Sequence, residues 1–383
     1  MTEKLYYLDA YIKEFSATAL SSEKLSEVYD TVLDRTAFFP NEGGQYADSG
    51  EIAGVRVLDV CEKEGVIHHY TAEKVPTGVT LECKIDFDER YEKMQCHTGE
   101  HILSGLFHSL FGLENVGFHL GKEEVTMDIS APLSKEDLAK VERLANEIVY
   151  KNISVTTYLP RPDELKGLEY RSKLDLTENV RIVKIGEYDS CACCAPHVKS
   201  TGEIGLIKIL DTAKLRGGMR LSITAGRRAM RTFAELYNIS ADISAALSVP
   251  KLEISAEVKK ILADKARVEA EFSQYKISAM EKAARELTPT EENTVLVFDG
   301  CGFDELIAYS NIAAEKVLGI LVLLSGNEGA YRYVISSKTR NLRELSSDIN
   351  KSLLGRGGGR PNMLQGTFAE SLENIKEYFS RLI

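Results

Sequence analysis

The sequence predicts an α+β protein in four parts: a small N-terminal β-barrel over residues 1–86, a central α+β segment over 87–226, a helical hairpin arm over 227–289, and a C-terminal α/β domain over 290–383. Three observations predict it. At 383 residues the chain is longer than one hydrophobic core usually organises. The hydrophobic pattern changes character three times along its length. The hydrophobic fraction of 44% and charged fraction of 27% are those of an ordinary soluble globular protein.

In residues 1–86, short runs such as AGVRVLDV, GVIHHYTAE and GVTLECKID alternate apolar and polar residues, with Gly and Pro between them, as strands of a small barrel would. The next segment opens with ERYEKMQCHTGEHILSGLFHSLFG, whose apolar Tyr91, Met94, Ile102, Leu106 and Leu110 form roughly one helical stripe closed by Gly112. A second helix, SKEDLAKVERLANEIVYKN, opens at Ser134 with Asp137 three residues on, close to a capping box. NVRIVKIG and GLIKILDTAK read as strands. From 227 to about 287 the pattern is helical. Ile254, Val258, Ile261, Val268, Phe272 and Tyr275 fall near a heptad seam, and Pro250 divides the stretch into two helices. A helical hairpin arm is therefore expected, with a simple packed helix pair as the alternative. TVLVFDG, VLGILVLLSG and YRYVISS then read as buried strands alternating with helices.

No apolar run reaches the length of a membrane helix, and MTEKLYYLDAYIKEF lacks the basic and apolar regions of a signal peptide, so a cytoplasmic protein without a membrane partner is expected. Seven cysteines, three of them crowded at Cys191, Cys193 and Cys194, favour metal binding or redox chemistry over disulfides. The net charge of −11 opposes a nucleic-acid partner, yet KLRGGMRLSITAGRRAMR from Lys214 to Arg231 carries six basic residues and no acid. It is either a solvated face or a confined surface for RNA.

His97 and His101 are spaced i, i+4, which places both imidazoles on one helix face about 6 Å apart along the axis, half of a zinc site. His108 lies roughly 10 Å further along and cannot share that ion. CACCAPHV supplies a second half: Cys193 and His197, with Pro196 fixing the turn between them. The four together make a tetrahedral His-His-Cys-His set, although Cys191 and Cys194 are also within the loop's reach. Three protein ligands plus water would suit hydrolysis, and four would look structural; spacing does not separate the two.

These residues resemble a known family. HTGEH resembles the HxxxH helix, and CCAPH the CxxxH loop, of the editing domain shared by alanyl- and threonyl-tRNA synthetases. TAFFPNEGGQYADSG, from Thr36 to Gly50, resembles the T-x-F-Y-P-x-G-G-G-Q-x-x-D-x-G signature of the alanyl branch. GRGGGRPNMLQGT at 355–367 resembles the glycine-rich signature of the C-terminal domain of alanyl-tRNA synthetase. The three occur in family order and cover nearly the whole chain, and a protein without the amino-acid activation part is expected. The pattern is similar to the long form of the freestanding alanyl-tRNA editing proteins. Two features depart from it: only two of the usual three glycines precede Gln45, and CCAPHVKSTG is closer to the threonyl branch than to CGGTHV.

The resemblance implies an ATP-independent, zinc-dependent hydrolase that deacylates mischarged tRNA-Ala carrying serine, and possibly glycine. Segment 87–226 would be its editing domain. Editing of Ser-tRNA-Thr and a non-catalytic, zinc-stabilised tRNA-binding role are the alternatives. A phosphoesterase is a further one, since DHH-type enzymes carry a related C-terminal domain, but here the adjacent His68-His69 follows Ile67 rather than Asp. By resemblance Thr36 would read the serine hydroxyl and Gln45 would sit near the ester as donor or positioner. Turn chemistry in a glycine-rich loop is the plainer reading of both. A site built to bond a hydroxyl leaves its own polar groups unpaired when alanine enters. No Asp or Glu stands out as the general base. Arg216, Arg220, Arg227 and Arg228 are candidates for the tRNA backbone. GRGGGR could cradle phosphate between Arg356 and Arg360, in a domain whose family context suggests tRNA elbow binding and a homodimer.

Overall fold

The computed structural model describes residues 1–172 and 180–382. It divides into two compact units, Met1–Ala241 and Asp242–Ile383. The strand expected over NVRIVKIG runs from Ile182 to Ile185; Asn179, at the start of that run, lies outside the described residues.

In the first unit six strands pair in a closed ring, in the order Glu14–Leu25, Val28–Leu33, Val66–Thr71, Val55–Lys63, Gly50–Ile52 and Thr80–Ile85. Period-two alternation sends Leu81, Cys83 and Ile85 of the last strand inward, and Ile67, His69 and Thr71 of the third. The same alternation parts the adjacent histidines. His68 turns outward to Asp30 at 2.9 Å while His69 is fully buried, so the two cannot form one site.

The chain then enters the long helix Phe87–Phe111, with Asp88 and Glu89 in its first turn and Gly112 ending it at φ +64°. A four-stranded sheet packs beside it in the order Ile207–Leu215, Gly218–Ala225, Val125–Ile129, Asn115–Leu120, together with a three-stranded sheet Val155–Tyr158, Ile182–Ile185, Asp189–Ala192. Helix Lys135–Tyr150 starts at Ser134, whose hydroxyl accepts the Asp137 N–H at 3.1 Å. These elements share one core around Met94, Ile102, Leu103, Phe107, Met127 and Ile185. The long helix is buried almost all round from Lys93 to Phe107, not along one stripe, and Leu110 of the expected stripe is exposed.

The second unit is a five-stranded mixed sheet in the order Thr294–Phe298, Leu321–Asn327, Ala330–Ser336, Met363–Phe368, Arg356–Arg360, with only the first pair parallel. Alternate residues of Leu321–Asn327 feed two cores. Val322 and Leu324 face helices Leu342–Ser352 and Leu372–Arg381, while Leu321 and Leu323 face helix Phe303–Ala313. Helix Ile254–Glu286 brings Met280 and Ala284 into the latter core. The GRGGGR run lies in extended backbone at one edge of this sheet. Arg356–Arg360 is an edge strand paired with Met363–Phe368. Side chains there would collide, since a Cβ on Gly357 would lie 2.3 Å from the Tyr333 hydroxyl and one on Gly366 2.8 Å from the same ring. Gly357 and Gly366 serve strand packing across Tyr333.

No helix among the described residues is long and apolar enough to cross a membrane.

Candidate metal centre

Helical spacing places His97 and His101 side by side, with ring centroids 5.4 Å apart. The loop after strand Asp189–Ala192 returns about a hundred residues later and sets the His197 ring 4.9 Å from His97 and 4.6 Å from His101. The ligand-type atoms of His97, His101, Cys193 and His197 all lie within 4.8 Å of one another. Cys193 Sγ is 3.6 Å from His97 Nε2 and 3.4 Å from His197 Nε2. In a tetrahedral zinc site with ordinary bond lengths, nitrogen and sulfur ligands stand about 3.5 Å apart, so the spacing fits.

The surroundings fix each ring's tautomer. His101 Nδ1 donates to Asp189 Oδ2 at 2.9 Å, and His97 Nδ1 donates to Gln45 Oε1 at 3.0 Å. Thr98 gives its one hydroxyl proton to the Met94 carbonyl at 2.7 Å, so it must accept from His197 Nδ1, 3.0 Å away. All three rings therefore keep an unprotonated Nε2 for a cation. Burial, then the neighbouring His101 and His97, push His197 well below the usual imidazole range, while burial pushes the Cys193 thiol up. Burial alone would also raise the Asp189 carboxyl, but the bonds from His101 and Arg171 hold it below its ordinary value. Arg181 grips the loop by donating to the Cys193 and Ala195 carbonyls, both at 2.9 Å.

Among the three clustered cysteines the loop directs Cys193 to the histidines. Cys191 groups instead with His101 and Asp189, and Cys194 lies against Glu42 and Gly43. His108 stays outside, paired with Glu114 at 2.8 Å.

Gln45 reaches the cluster through the turn at Gly43 and Gly44, both with positive φ. A Cβ on Gly44 would lie 2.4 Å from the Phe118 carbonyl, and the Gly44 carbonyl accepts the Leu120 N–H at 2.7 Å. Two glycines thus seat the loop on strand Asn115–Leu120. Phe118 of that strand stands 4.8 Å from the His97 ring. Gln45 is buried, and its Nε2 has no hydrogen-bond partner among the described residues.

Beneath the loop lies a charged network that the sequence did not announce. Arg90 and Lys93, both fully buried, converge on Asp48. Arg90 Nε donates to Asp48 at 2.8 Å and its Nη1 to the Ala10 carbonyl, and another Arg90 nitrogen holds the Ala37 carbonyl at 2.6 Å. Lys93 donates to the Ala47 carbonyl at 2.6 Å. Both ends of the signature loop are thereby fixed to the helix, about two turns before His97 at Arg90 and one turn before it at Lys93. Thr36 is fully buried at the start of that loop, its hydroxyl 2.8 Å from His69 Nε2 and accepting the Phe38 N–H at 3.1 Å.

The basic segment is mostly paired internally. Arg220 meets Asp128 at 2.7 Å, Arg227 meets Asp88 at 2.6 Å, and Arg231 meets Glu92. Arg228 is buried, donating to the Gly121 carbonyl and the Tyr46 hydroxyl. Arg216 is exposed at a turn, and Arg356 and Arg360 on the edge strand.

Residues 180–221 match the family described as the threonyl and alanyl tRNA synthetase second additional domain. The chain is similar to the alanyl-tRNA editing protein AlaX-L of Pyrococcus horikoshii, 30% identical over 397 residues, covering 98% of this chain and 96% of that one. It is 28% identical to the alanine–tRNA ligase of Methanococcus maripaludis over 399 residues, 100% of this chain but 44% of the ligase, so it spans less than half of that relative. The solved C-Ala domain from Aquifex aeolicus alanyl-tRNA synthetase matches 24% of this chain and 96% of its own at 23% identity, with a TM-score of 0.21.

Proposed function

The chain belongs to the family of alanyl-tRNA editing proteins, and from that premise we propose that it hydrolyses the ester of tRNA-Ala mischarged with serine, and more weakly with glycine, at a zinc centre held by His97, His101, Cys193 and His197. The observation that carries the reaction is the Gln45 side chain. Its carbonyl is committed to His97, which leaves its amide nitrogen a buried donor without a partner among the described residues. Buried donors are rarely left unpaired, so the group suits a missing oxygen. The carbonyl oxygen of the ester, which gains charge as water attacks, is such an acceptor. Zinc at the adjacent cluster would supply positive charge and Lewis acidity beside the ester. Thr36 reads the serine hydroxyl at the other end of the loop, and the products are free serine and tRNA with its terminal ribose hydroxyl restored.

Four protein ligands also describe structural zinc, which favours a second reading, a non-catalytic tRNA-binding protein. Purified protein given Ser-, Gly- and Ala-tRNA-Ala, with and without chelator, separates the two. Gln45→Glu keeps the acceptor for His97 and removes the donor. We expect kcat on Ser-tRNA-Ala to fall by roughly 10²–10³ with zinc retained. An unchanged kcat would remove Gln45 from the chemistry, and absence of any deacylation by the unaltered protein would leave the binding role.

For the tRNA body we propose the exposed Arg216, Arg356 and Arg360 as backbone contacts, with Arg220 and Arg227 joining if phosphate displaces their acidic partners, and Arg228 the least available. Pairing through the C-terminal domain would make a homodimer.

A further inference from the structure

We propose that His69 is a positioning residue for substrate selection: it takes the Thr36 hydroxyl proton, so that Thr36 can only accept a further hydrogen bond and the site selects an amino acid whose side chain donates one. This rests on the reading of Thr36 as the side-chain reader.

The bonding leaves little freedom. His69 Nδ1 lies 3.1 Å from the Thr31 carbonyl, which can only accept, so Nδ1 carries the proton. Burial in the barrel pushes His69 down to about 4, so near neutral pH the ring is uncharged and Nε2 is an acceptor. The Thr36 hydroxyl, 2.8 Å away, must therefore donate to it. One of the two Thr36 lone pairs takes the Phe38 N–H at 3.1 Å. A single lone pair remains. The edge of the Phe38 ring system, packed 5.5 Å from His69 in a T-shaped contact, helps hold the imidazole in that orientation.

A threonine hydroxyl is ordinarily indifferent, able to turn its proton toward or away from a ligand. Here the barrel makes the choice before any ligand arrives. The matching ligand is an aminoacyl ester with a hydroxyl donor on its β-carbon. Alanine and glycine offer no donor, and a side chain carrying an acceptor alone meets a lone pair.

The test is the ratio of kcat/KM for Ser-tRNA-Ala to that for Gly-tRNA-Ala, with zinc content measured alongside. His69→Leu frees the Thr36 proton, and the ratio should fall roughly tenfold, the worth of one oriented hydrogen bond, with zinc unchanged. His69→Gln, whose carbonyl can accept in place of Nε2, should restore most of it. In a Thr36→Val background, His69→Leu should change the ratio no further, because His69 acts through Thr36. An unchanged ratio in His69→Leu, or an additional loss in the Thr36→Val background, overturns the proposal. Should the leucine variant not fold, the unaltered protein decides: tRNA-Ala charged with 3-fluoroalanine, close to serine in size but without a donor, should react no faster than Gly-tRNA-Ala, and a rate matching serine overturns the proposal. A Thr36→Val protein with its ratio intact removes the reader and the positioning with it. Deacylation of neither ester by the unaltered protein defeats the hydrolase reading itself.

Discussion

Around the four ligand-type side chains, each neighbour has one task that its chemistry dictates. Asp189 is worth separating from the rest, because it accepts from His101 with one oxygen and from Arg171, at 2.8 Å, with the other. Asp189→Asn keeps the shape but can present an amide N–H to Nδ1, which would favour the wrong tautomer. Partners of this kind typically contribute 10–100-fold in metal affinity. We expect zinc to dissociate that much more readily from Asp189→Asn in a chelator competition; equal affinity would show that the helix alone orients the ring. The grouping of these four side chains was legible from i, i+4 spacing and a Cys-x-x-x-His loop. Asp189 was not, since it lies 88 residues from His101 and an isolated Asp carries no periodic signal. Thr98 was hidden for the opposite reason: it sits between the two histidines, where nothing in the sequence reveals that its proton goes backward to Met94.

At the scale of elements, the long helix and the signature loop hold each other through ions. Arg90 and Lys93 defeat the usual expectation that charged residues face water, and that is why the sequence suggested a single apolar stripe. Burial would raise the Asp48 carboxyl, but Arg90 and then Lys93 hold it below its ordinary value. A carboxyl so depressed adds stability above its unfolded value of about 3.9, and that stability is lost as pH falls through the folded value. Asp48→Asn would leave two buried cations without their anion, a loss of about 3–5 kcal/mol. Denaturant unfolding at pH 7 should show it, and the gap from the unaltered protein should narrow below about pH 4. A gap that stays constant on acidification would mean that Asp48 is not the group being protonated. Gly357 and Gly366, in and beside the GRGGGR run, answer a steric demand. Glycines are read as flexible when nothing is known of their neighbours, and only the fold reveals Tyr333 beneath them.

For the whole molecule, the division after Ala241 falls inside helix Gly226–Leu247, so a fragment of residues 1–247 keeps the first unit and that helix complete. It should still deacylate Ser-tRNA-Ala, with a higher KM and similar kcat. A folded fragment without turnover at saturating tRNA would assign chemistry to the second unit. Electrostatics tests the other half of the scheme. Arg216→Ala should flatten the dependence of log affinity on log salt by a little under one unit if it meets a phosphate, and leave it unchanged if it only faces solvent. The short N-terminal strands, the helices and the C-terminal strands were all foreshadowed by hydrophobic period. The internal pairing of Arg220, Arg227 and Arg231 was not, because their acidic partners come from other segments of the first unit.

His97 and Cys193 stand 96 residues apart in the chain. An ion between them would act as a reversible cross-link, closing a long loop that the unfolded chain leaves open. The first unit's melting temperature would then rise with the logarithm of free zinc and sink on chelation, even with no tRNA present. A cell short of zinc would lose folded protein as well as turnover, so the abundance of this chain would itself report the supply of the metal.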